Sequence, residues 1–184
     1  MDAGARPDME AGMKPGNETA GASDRDTATI EGLLDALYES ISGPAGPRDW
    51  ERDRNLFAPG GVLMPTGPIP TAKPGDAPAV ARVPLTFDQW LDSRRAFFNA
   101  GDFYEWEIAR RIFRFGNIAH VLSAYAAGRR LHDPEILFRG INSLQLAHDG
   151  KRWGIVSIAW DNARPDNPLP EWIRTEGGGS PAPG

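Results

Sequence analysis

The chain has 184 residues, no cysteine, and 25 acidic against 20 basic residues, which gives a net charge of −5. Its 40% hydrophobic content suits one globular domain, while the missing cysteines exclude a disulfide framework, a thiol nucleophile and a thiolate metal site. The acidic balance argues against nucleic-acid binding, and no run approaches the ~20 consecutive apolar residues that a membrane-spanning helix needs.

The two ends of the chain differ in composition from its middle. Residues 1–26 are rich in Gly, Ala, Asp and Glu and lack the basic start and apolar run of a secretory signal, so we predict a disordered leader. The Gly- and Pro-rich residues 174–184 predict a flexible tail. We therefore expect a cytoplasmic protein whose single domain spans residues 27–173, with no membrane or nucleic-acid partner.

Three helices are predicted before residue 102. Apolar residues at i, i+3, i+4 and i+7 spacing predict an amphipathic helix over 26–41 with Asp26 as its N-cap. A shorter helix is expected over 49–57, with Trp50, Asp53 and Phe57 on one side. The third helix has a well-defined start and end. Its N-terminal capping box is Thr86-x-x-Gln89, its buried stripe comprises Trp90, Leu91, Phe97 and Phe98, and Gly101 closes it.

The region between the second and third helices begins with a short predicted strand, Val62–Pro65. It is followed by residues 66–84, which are dense in Pro and Gly. A loop of this length inside a compact domain is usually functional or mobile. We therefore interpret residues 66–84 as a candidate lid.

Four long apolar-rich runs follow, and they predict a curled antiparallel sheet. The Asp149-Gly150 pair between the last two runs is a strong hairpin signal, because a type I′ turn needs positive φ at both central residues. The four predicted strands are Phe103–Phe115, Ile118–Arg130, Arg139–His148 and Lys151–Asp161.

Counting outward from the turns assigns side chains to the two faces of the sheet. A tight Gly116-Asn117 turn would put Glu105, Glu107 and His120 on one face and Tyr125 on the other. The same count from Asp149-Gly150 puts Asn142 and Asp161 together and Trp160 opposite them. A one-residue bulge in any strand would exchange these sets beyond the bulge.

Four motifs stand out along the predicted strands: Phe115-Gly116-Asn117-Ile118-Ala119-His120-Val121, Arg139-Gly140-Ile141-Asn142-Ser143-Leu144-Gln145-Leu146, Asp149-Gly150-Lys151-Arg152-Trp153 and Ile155-Val156-Ser157-Ile158-Ala159-Trp160. With these motifs, three helices followed by a strongly curved antiparallel sheet resemble the nuclear transport factor 2-like superfamily and its bacterial SnoaL-like subgroup. The resemblance implies an α+β fold in which three N-terminal helices pack on a cone-shaped half-barrel, a pocket between helices and concave sheet, and often a homodimer through the outer sheet face.

The superfamily includes ketosteroid isomerase, scytalone dehydratase, polyketide cyclases, limonene-epoxide hydrolase and non-catalytic binding modules. One fold that serves so many chemistries does not select one of them. No catalytic motif of these enzymes can be placed residue for residue on this chain, so none is transferred to it.

Standard cofactor and metal motifs are absent from the sequence. It has no Gly-rich phosphate-binding loop and no nucleophile elbow, and its histidines, His120, His132 and His148, do not have metal-ligand spacing. We therefore expect no cofactor and no metal.

Glu105, Glu107 and His120 are the candidate catalytic residues. Two glutamates two positions apart on a strand point the same way, and an apolar cavity would raise the pKa of a carboxyl toward that of a useful general base. His120 could act as acid or base beside them. The alternatives are a surface ladder with Arg111 for the glutamates and a hydrogen-bonded core or interface role for the histidine.

The candidate ligand-binding residues are the aromatic and polar side chains that could line an apolar pocket. The alternatives are plain aromatic core, polar pairing across strands or a dimer contact, and, for the last two residues of the set, a core plug and a turn. The set comprises Trp50, Trp90, Phe97, Trp106, Tyr125, Asn142, Trp160 and Asp161.

Two functional hypotheses remain open. The first is a homodimeric protein that binds a hydrophobic small molecule and, as an enzyme, would be a cofactor-independent isomerase, dehydratase or cyclase. The second is a non-catalytic ligand-binding or dimeric assembly module that uses the outer sheet face.

Overall fold

The computed structural model of the protein describes residues 22–67 and 83–175. The predicted leader up to residue 21, most of the predicted 66–84 lid and residues 176–184 of the predicted tail lie outside this part of the chain. These three assignments stay predictions.

The described residues form five helices and five strands. The helices are α1 (Ala22–Asp26), α2 (Ile30–Ile41), α3 (Trp50–Arg54), α4 (Phe87–Ala100) and α5 (Trp172–Thr175). The strands are β1 (Phe57–Pro65), β2 (Tyr104–Phe115), β3 (Ile118–Gly128), β4 (Phe138–His148) and β5 (Trp153–Asn162).

The start of the chain differs from its prediction in two respects. Residues 22–26, assigned to the leader from the sequence, form the short helix α1. The amphipathic helix α2 then begins at Ile30, because the Thr29 side chain caps it by accepting a hydrogen bond from the Gly32 amide at 3.0 Å. Asp26, the predicted cap, instead forms an ion pair with Arg52 at 2.8 Å.

Helix α4 follows its sequence signal closely. The Thr86 hydroxyl accepts from the Gln89 amide at 3.3 Å, and the Gln89 side chain accepts from the Thr86 amide at 2.9 Å, so both halves of the capping box are present. Trp90 and Phe98 are buried against the sheet as predicted, while Phe97 is 40% exposed. The start of this helix could therefore be located from local sequence alone.

The five strands form one curved sheet in the order β1-β5-β4-β3-β2. The pairs among β2, β3, β4 and β5 are antiparallel, as predicted, whereas β1 runs parallel to β5. Apolar side chains from α2 and α4 pack on the concave face, where Leu34, Leu144 and Ile155 have no exposed surface. The predicted α+β architecture, a cone-shaped half-barrel, is confirmed.

Two β-bulges change which side chains face the core. The pairing of β2 with β3 shifts between Glu107 and Ala109, which leaves Ile108 as an extra residue, and the pairing of β5 with β4 skips Val156. Beyond each bulge the face assignment from simple counting is wrong. The reason is that an unpaired residue inverts the alternation of side chains along the rest of its strand.

The connection between β4 and β5 is longer than the predicted two-residue turn. His148 pairs with Trp153, so four residues lie between the strands. The Asp149 carboxylate accepts hydrogen bonds from the Lys151 and Arg152 amides at 2.8 and 2.9 Å, and Gly150 alone takes a positive φ, of 98°. An aspartate that accepts amides from the following residues stabilises this wider loop, and the type I′ prediction is wrong.

None of the helices in residues 22–67 and 83–175 is long and apolar enough to cross a membrane.

Gly140 provides a test of the packing on the concave face of the sheet. A Cβ at this position would overlap the Tyr125 hydroxyl and the Asp161 carbonyl oxygen. We expect Gly140→Ala to lower the free energy of unfolding by about 1–3 kcal/mol through overpacking, as measured by urea denaturation. Gly67→Ala is the matched control, because its nearest neighbour would lie at 3.5 Å, an ordinary contact, and equal losses in both variants would contradict the prediction.

Candidate active site

A cavity of about 220 Å³ lies between helices α2, α3 and α4 and the concave face of the sheet. Its apolar wall is formed by Leu37, Ile41, Phe57, Leu63, Trp90, Phe97, Phe98, Phe103, Phe138, Ile158 and Trp160. Its polar lining is formed by Asp53, Arg94, Glu105, Tyr125, Asn142 and Asn162. An apolar cavity with a few convergent polar groups is the usual form of a small-molecule site.

The bulge at Ile108 places Glu105 in this cavity. Glu105 pairs with Ala127, not with Gly128 as simple counting predicts, so its side chain shares a face with Tyr125. The second bulge, at Val156, does the same for Trp160, which pairs with Asn142 and lines the cavity with it. The side chains of three neighbouring strands therefore converge on one space.

Glu105 is held in an environment that favours its neutral form. Burial raises the pKa of Glu105 to about 8, and hydrogen bonding with the Asn142 side chain opposes this rise only in part. At neutral pH the carboxyl is therefore mostly protonated and can donate a proton. Above pH 8 it becomes a carboxylate and can accept one.

Tyr125 and Asn162 add a second polar group to the cavity wall. The Tyr125 hydroxyl donates a hydrogen bond to Asn162 Oδ1 at 2.7 Å. Burial, and then the negative potential of Glu105, raise the pKa of Tyr125, so its hydroxyl keeps its proton. The close approach of this ring to the sheet depends on the absence of a side chain at Gly140.

Glu107 lies at the far end of a chain of hydrogen bonds that begins at Asn142. Asn142 Nδ2 donates to the Tyr38 hydroxyl at 3.2 Å, the Tyr38 and Ser123 hydroxyls are 2.5 Å apart, and Ser123 donates to Glu107 at 2.5 Å. Arg110 completes the chain with an ion pair to Glu107 at 2.6 Å. Because its carboxylate receives both a hydroxyl and a guanidinium, Glu107 anchors α2 to the sheet and does not line the cavity.

Asp53 is a second carboxyl at the cavity, facing it from helix α3. Its side chain is 1% exposed, and its Oδ1 has no hydrogen-bond partner among the described residues. Burial raises the pKa of Asp53 to about 7, against the lowering effects of Ser40 and of Arg52 and Arg54. The sequence carried one signal for it, an acidic residue on the same helical side as Trp50 and Phe57.

His120 does not join the glutamates, contrary to the predicted grouping. It lies on the convex face, where its Nε2 is 3.0 Å from the Ser143 hydroxyl and its ring stacks on Phe113 at 6.4 Å between centroids. The bulge at Ile108 is the reason, since it moves Glu105 and Glu107 to the concave face but leaves His120 where counting placed it.

Three of the predicted ligand-binding residues also lie outside the cavity. Asp161 is turned outward by the bulge at Val156 and binds Arg164 at 2.7 Å. Trp106 packs on His132 at 5.4 Å, and Trp50 packs behind the cavity wall on Phe98 at 5.1 Å. The remaining five predicted residues line the cavity: Trp90, Phe97, Tyr125, Asn142 and Trp160.

The architecture around this cavity is similar to that of several solved structures. An uncharacterised nuclear transport factor 2-like protein from Pseudomonas putida KT2440 aligns with a TM-score of 0.53 and 11% identity, covering 73% of this chain and 84% of that one. A putative calcium/calmodulin-dependent protein kinase type II association domain from Thiobacillus denitrificans aligns with a TM-score of 0.54 and 13% identity, covering 74% of this chain and 96% of that one. LinA aligns with a TM-score of 0.52 and 7% identity, covering 74% of this chain and 85% of that one.

These similarities identify the fold. The chain has the nuclear transport factor 2-like fold, in which helices close the concave side of a curved sheet. No family model matches the chain, and no curated protein matches it. At identities of 7–13%, the neighbours define a fold and carry no activity over to this chain.

Asp53, which is buried, and Glu105, which is half-buried, predict a specific dependence of stability on pH. A carboxyl whose pKa is higher in the folded than in the unfolded protein stabilises the fold fully at pH values below its unfolded-state pKa. This stabilisation is lost as the pH rises through the folded-state pKa. For Asp53 this window runs from about 3.8 to about 7, and for Glu105 from about 4.5 to about 8. Between pH 5 and pH 9, ionisation of Glu105 should lower the free energy of unfolding of the parent protein by an amount on the order of 3 kcal/mol. We expect Glu105→Gln to lack this decrease when both proteins are measured by urea denaturation.

Asp53→Asn should remove a comparable decrease in the free energy of unfolding, which falls at lower pH than that of Glu105. Glu51→Gln, on a side chain that is 80% exposed, is the control and should leave the pH profile unchanged. Parallel profiles for Glu105→Gln and the parent protein would show that Glu105 is ionised in the folded state at pH 7.

Proposed function

We propose that the protein binds a compact hydrophobic molecule in this cavity and moves a proton on it without a cofactor, as an isomerase, dehydratase or cyclase does. The observation that carries the proposal is Glu105, a carboxyl with a raised pKa in the wall of an otherwise mainly apolar cavity. In this proposal the chain is a SnoaL-like member of the superfamily, and residues 27–173 are its single domain, in the cytoplasm.

Glu105 is the proposed catalytic acid or base. Removing a proton beside a carbonyl group is a step common to the three reaction types, and a carboxylate with a pKa near 8 is a stronger base than an ordinary one. The Tyr125 hydroxyl keeps its proton and is the proposed hydrogen-bond donor to the oxygen that gains charge, which would replace Asn162 Oδ1 as its acceptor. Asn142 orients the Glu105 carboxyl through their hydrogen bond.

The aromatic wall accounts for the proposed substrate class. Trp90 lies 5.7 Å from Phe87 and 6.1 Å from Phe98 between ring centroids, in a cluster that continues through Phe103. Such a wall favours planar or cyclic hydrocarbon bodies through surface burial and ring contacts. The cavity volume of about 220 Å³ limits the ligand to a small one.

Hydrogen exchange on a ketone probe tests the proposal without knowledge of the natural substrate. We expect the protein to accelerate exchange of the α-protons of 2-tetralone in D₂O, followed by proton NMR, with a rate that rises through about pH 8 as Glu105 ionises. Glu105→Gln should lose about 10²-fold or more of the acceleration, the typical contribution of a general base.

Two variants on one strand form the control pair for this experiment. Ile158→Phe narrows the cavity, which Ile158 lines, and should abolish both binding and exchange. Val156→Phe changes a position that is 39% exposed and should leave both unchanged. Exchange by Glu105→Gln at the parental rate would remove Glu105 from the mechanism.

An assembly role is the second candidate, favoured by the convex face of the sheet. Phe113, Phe115 and Ile118 are 60, 83 and 53% exposed at the β2–β3 hairpin. An apolar patch of this kind is characteristic of a protein interface. One structural neighbour is described as a putative association domain, which is consistent with a homodimer formed through this face.

Sedimentation equilibrium tests the homodimer. We expect the parent protein to be dimeric at micromolar concentration. The double variant Phe113→Glu/Phe115→Glu should be monomeric, because dimerisation would bury its two new carboxylates without a partner of opposite charge. Phe97→Glu, on a side chain that is 40% exposed on α4, is the control and should stay dimeric. A monomeric parent protein would exclude assembly through this face.

A further inference from the structure

Asp53 has an unusual position for a carboxylate. Its Oδ1 is buried, lacks a hydrogen-bond partner among the described residues and belongs to a side chain that lines the cavity. Buried polar atoms are nearly always hydrogen-bonded, because an unpaired one has lost its water without a replacement. An atom of this kind at a ligand cavity is therefore a candidate contact for the ligand itself.

No residue in the described part of the chain donates a hydrogen bond to Asp53 Oδ1. A hydrogen bond with Ser40 lowers the pKa of Asp53, although the Ser40 hydroxyl also lies 3.0 Å from the Leu37 carbonyl oxygen, and Asp53 Oδ1 still has no partner among the described residues. Of the neighbouring cations, Arg52 binds Asp26 and Glu39 at 2.8 and 2.9 Å. Its guanidinium is thereby paired with carboxylates other than Asp53.

Arg54 is likewise bound elsewhere. It contacts Glu51 at 2.5 Å and also Asp88. Neither arginine on α3 makes an ion pair with Asp53 in the described part of the chain. Both lower its pKa only through space, and less than burial raises it. Asp53 is therefore left without a direct countercharge.

The other polar groups around the cavity also supply no positive charge close to the carboxyls. Glu105 is the second carboxyl in its wall, and the groups that contact or influence it, Asn142, Tyr125 and Tyr38, carry no positive charge. Arg94, the cationic residue in the described lining, is exposed on α4, where water screens its charge. Among the residues that the structure describes, the enclosed part of the cavity thus has two carboxyls and no cationic side chain.

Aromatic rings complete the pattern. Trp90, Phe98 and Trp160 line the same space as Asp53. A cation placed over aromatic faces and beside a carboxylate gains both cation–π and ion-pair interactions, and these are strongest where water is excluded.

We propose that the ligand of this cavity is a compact apolar molecule bearing a protonated amine, and that Asp53 Oδ1 accepts a hydrogen bond from that ammonium group. The inference rests on the proposed ligand-binding function and adds the charge of the ligand to it. Glu105 remains the proton-transfer group, while Asp53 orients the molecule.

Ammonium binding has a thermodynamic consequence that a neutral ligand lacks. Burial raises the pKa values of Asp53 and Glu105 to about 7 and about 8, so a bound cation lowers them and drives protons off. Binding at pH 7 should therefore release protons. Calorimetry in phosphate and in Tris at that pH measures the number released, because the two buffers have different heats of ionisation.

Three probes with nearly the same body separate the possible ligand charges. Phenethylammonium, 2-phenylethanol and phenylacetate are titrated into the full chain at pH 8.5 and pH 5.5, with tryptophan fluorescence and calorimetry as readouts. We expect phenethylammonium to bind at least about tenfold tighter than 2-phenylethanol at pH 8.5, and this preference to shrink at pH 5.5 as both carboxyls are protonated.

Asp53→Asn tests the assigned atom. It should reduce the preference for phenethylammonium to about threefold or less while 2-phenylethanol binds as before, and Asp92→Asn, on an exposed side chain of α4, should keep the full preference. The proton release by the parent protein is independent of how well Asp53→Asn folds.

The outcomes separate this inference from the proposed function. Equal binding of phenethylammonium and 2-phenylethanol at pH 8.5, or no proton release, overturns the ammonium assignment and leaves the apolar cavity intact. Tighter binding of phenylacetate overturns it in favour of an anion at Arg94. Failure of all three probes to bind contradicts the ligand cavity itself.

Discussion

The pairing register of β2 against β3 controls which side chains meet in the cavity. One extra residue, Ile108, inverts the alternation, so that Glu105 faces the helices instead of the convex side. A second extra residue, Val156, brings Trp160 beside Asn142 in the same way. Without these two bulges the cavity would lose both a carboxyl and an indole ring from its wall.

The cost of desolvating charge organises the rest of the site. Glu107 and Glu105 are two residues apart on one strand. Within the described part of the chain, Glu107 receives Ser123 and Arg110, while Glu105 has the hydrogen bond with Asn142 alone. The first is a satisfied structural anchor, and the second remains neutral at pH 7 and available for chemistry. Incomplete satisfaction distinguishes a candidate functional carboxyl from a structural one.

Local sequence signals located most elements, and long-range pairing decided the site. The capping box at Thr86 and the hydrophobic stripe of α2 depend on residues within a few positions, so they could be recognised in isolation. The bulges, the parallel pairing of β1 with β5, and the convex position of His120 depend on partners distant in sequence. Counting from a turn cannot detect an unpaired residue within a strand.

The sequence by itself determined a cysteine-free α+β domain with an apolar core, a strongly patterned antiparallel sheet and a set of candidate polar residues. Only the tertiary structure decided that Glu105 and Asp53 face one cavity, that Asp161 and His120 do not, and that Asp53 Oδ1 has no hydrogen-bond partner among the described residues. The physical reason is that burial and hydrogen-bond satisfaction belong to the assembled environment of a side chain, to which several elements contribute, and not to its position in the chain.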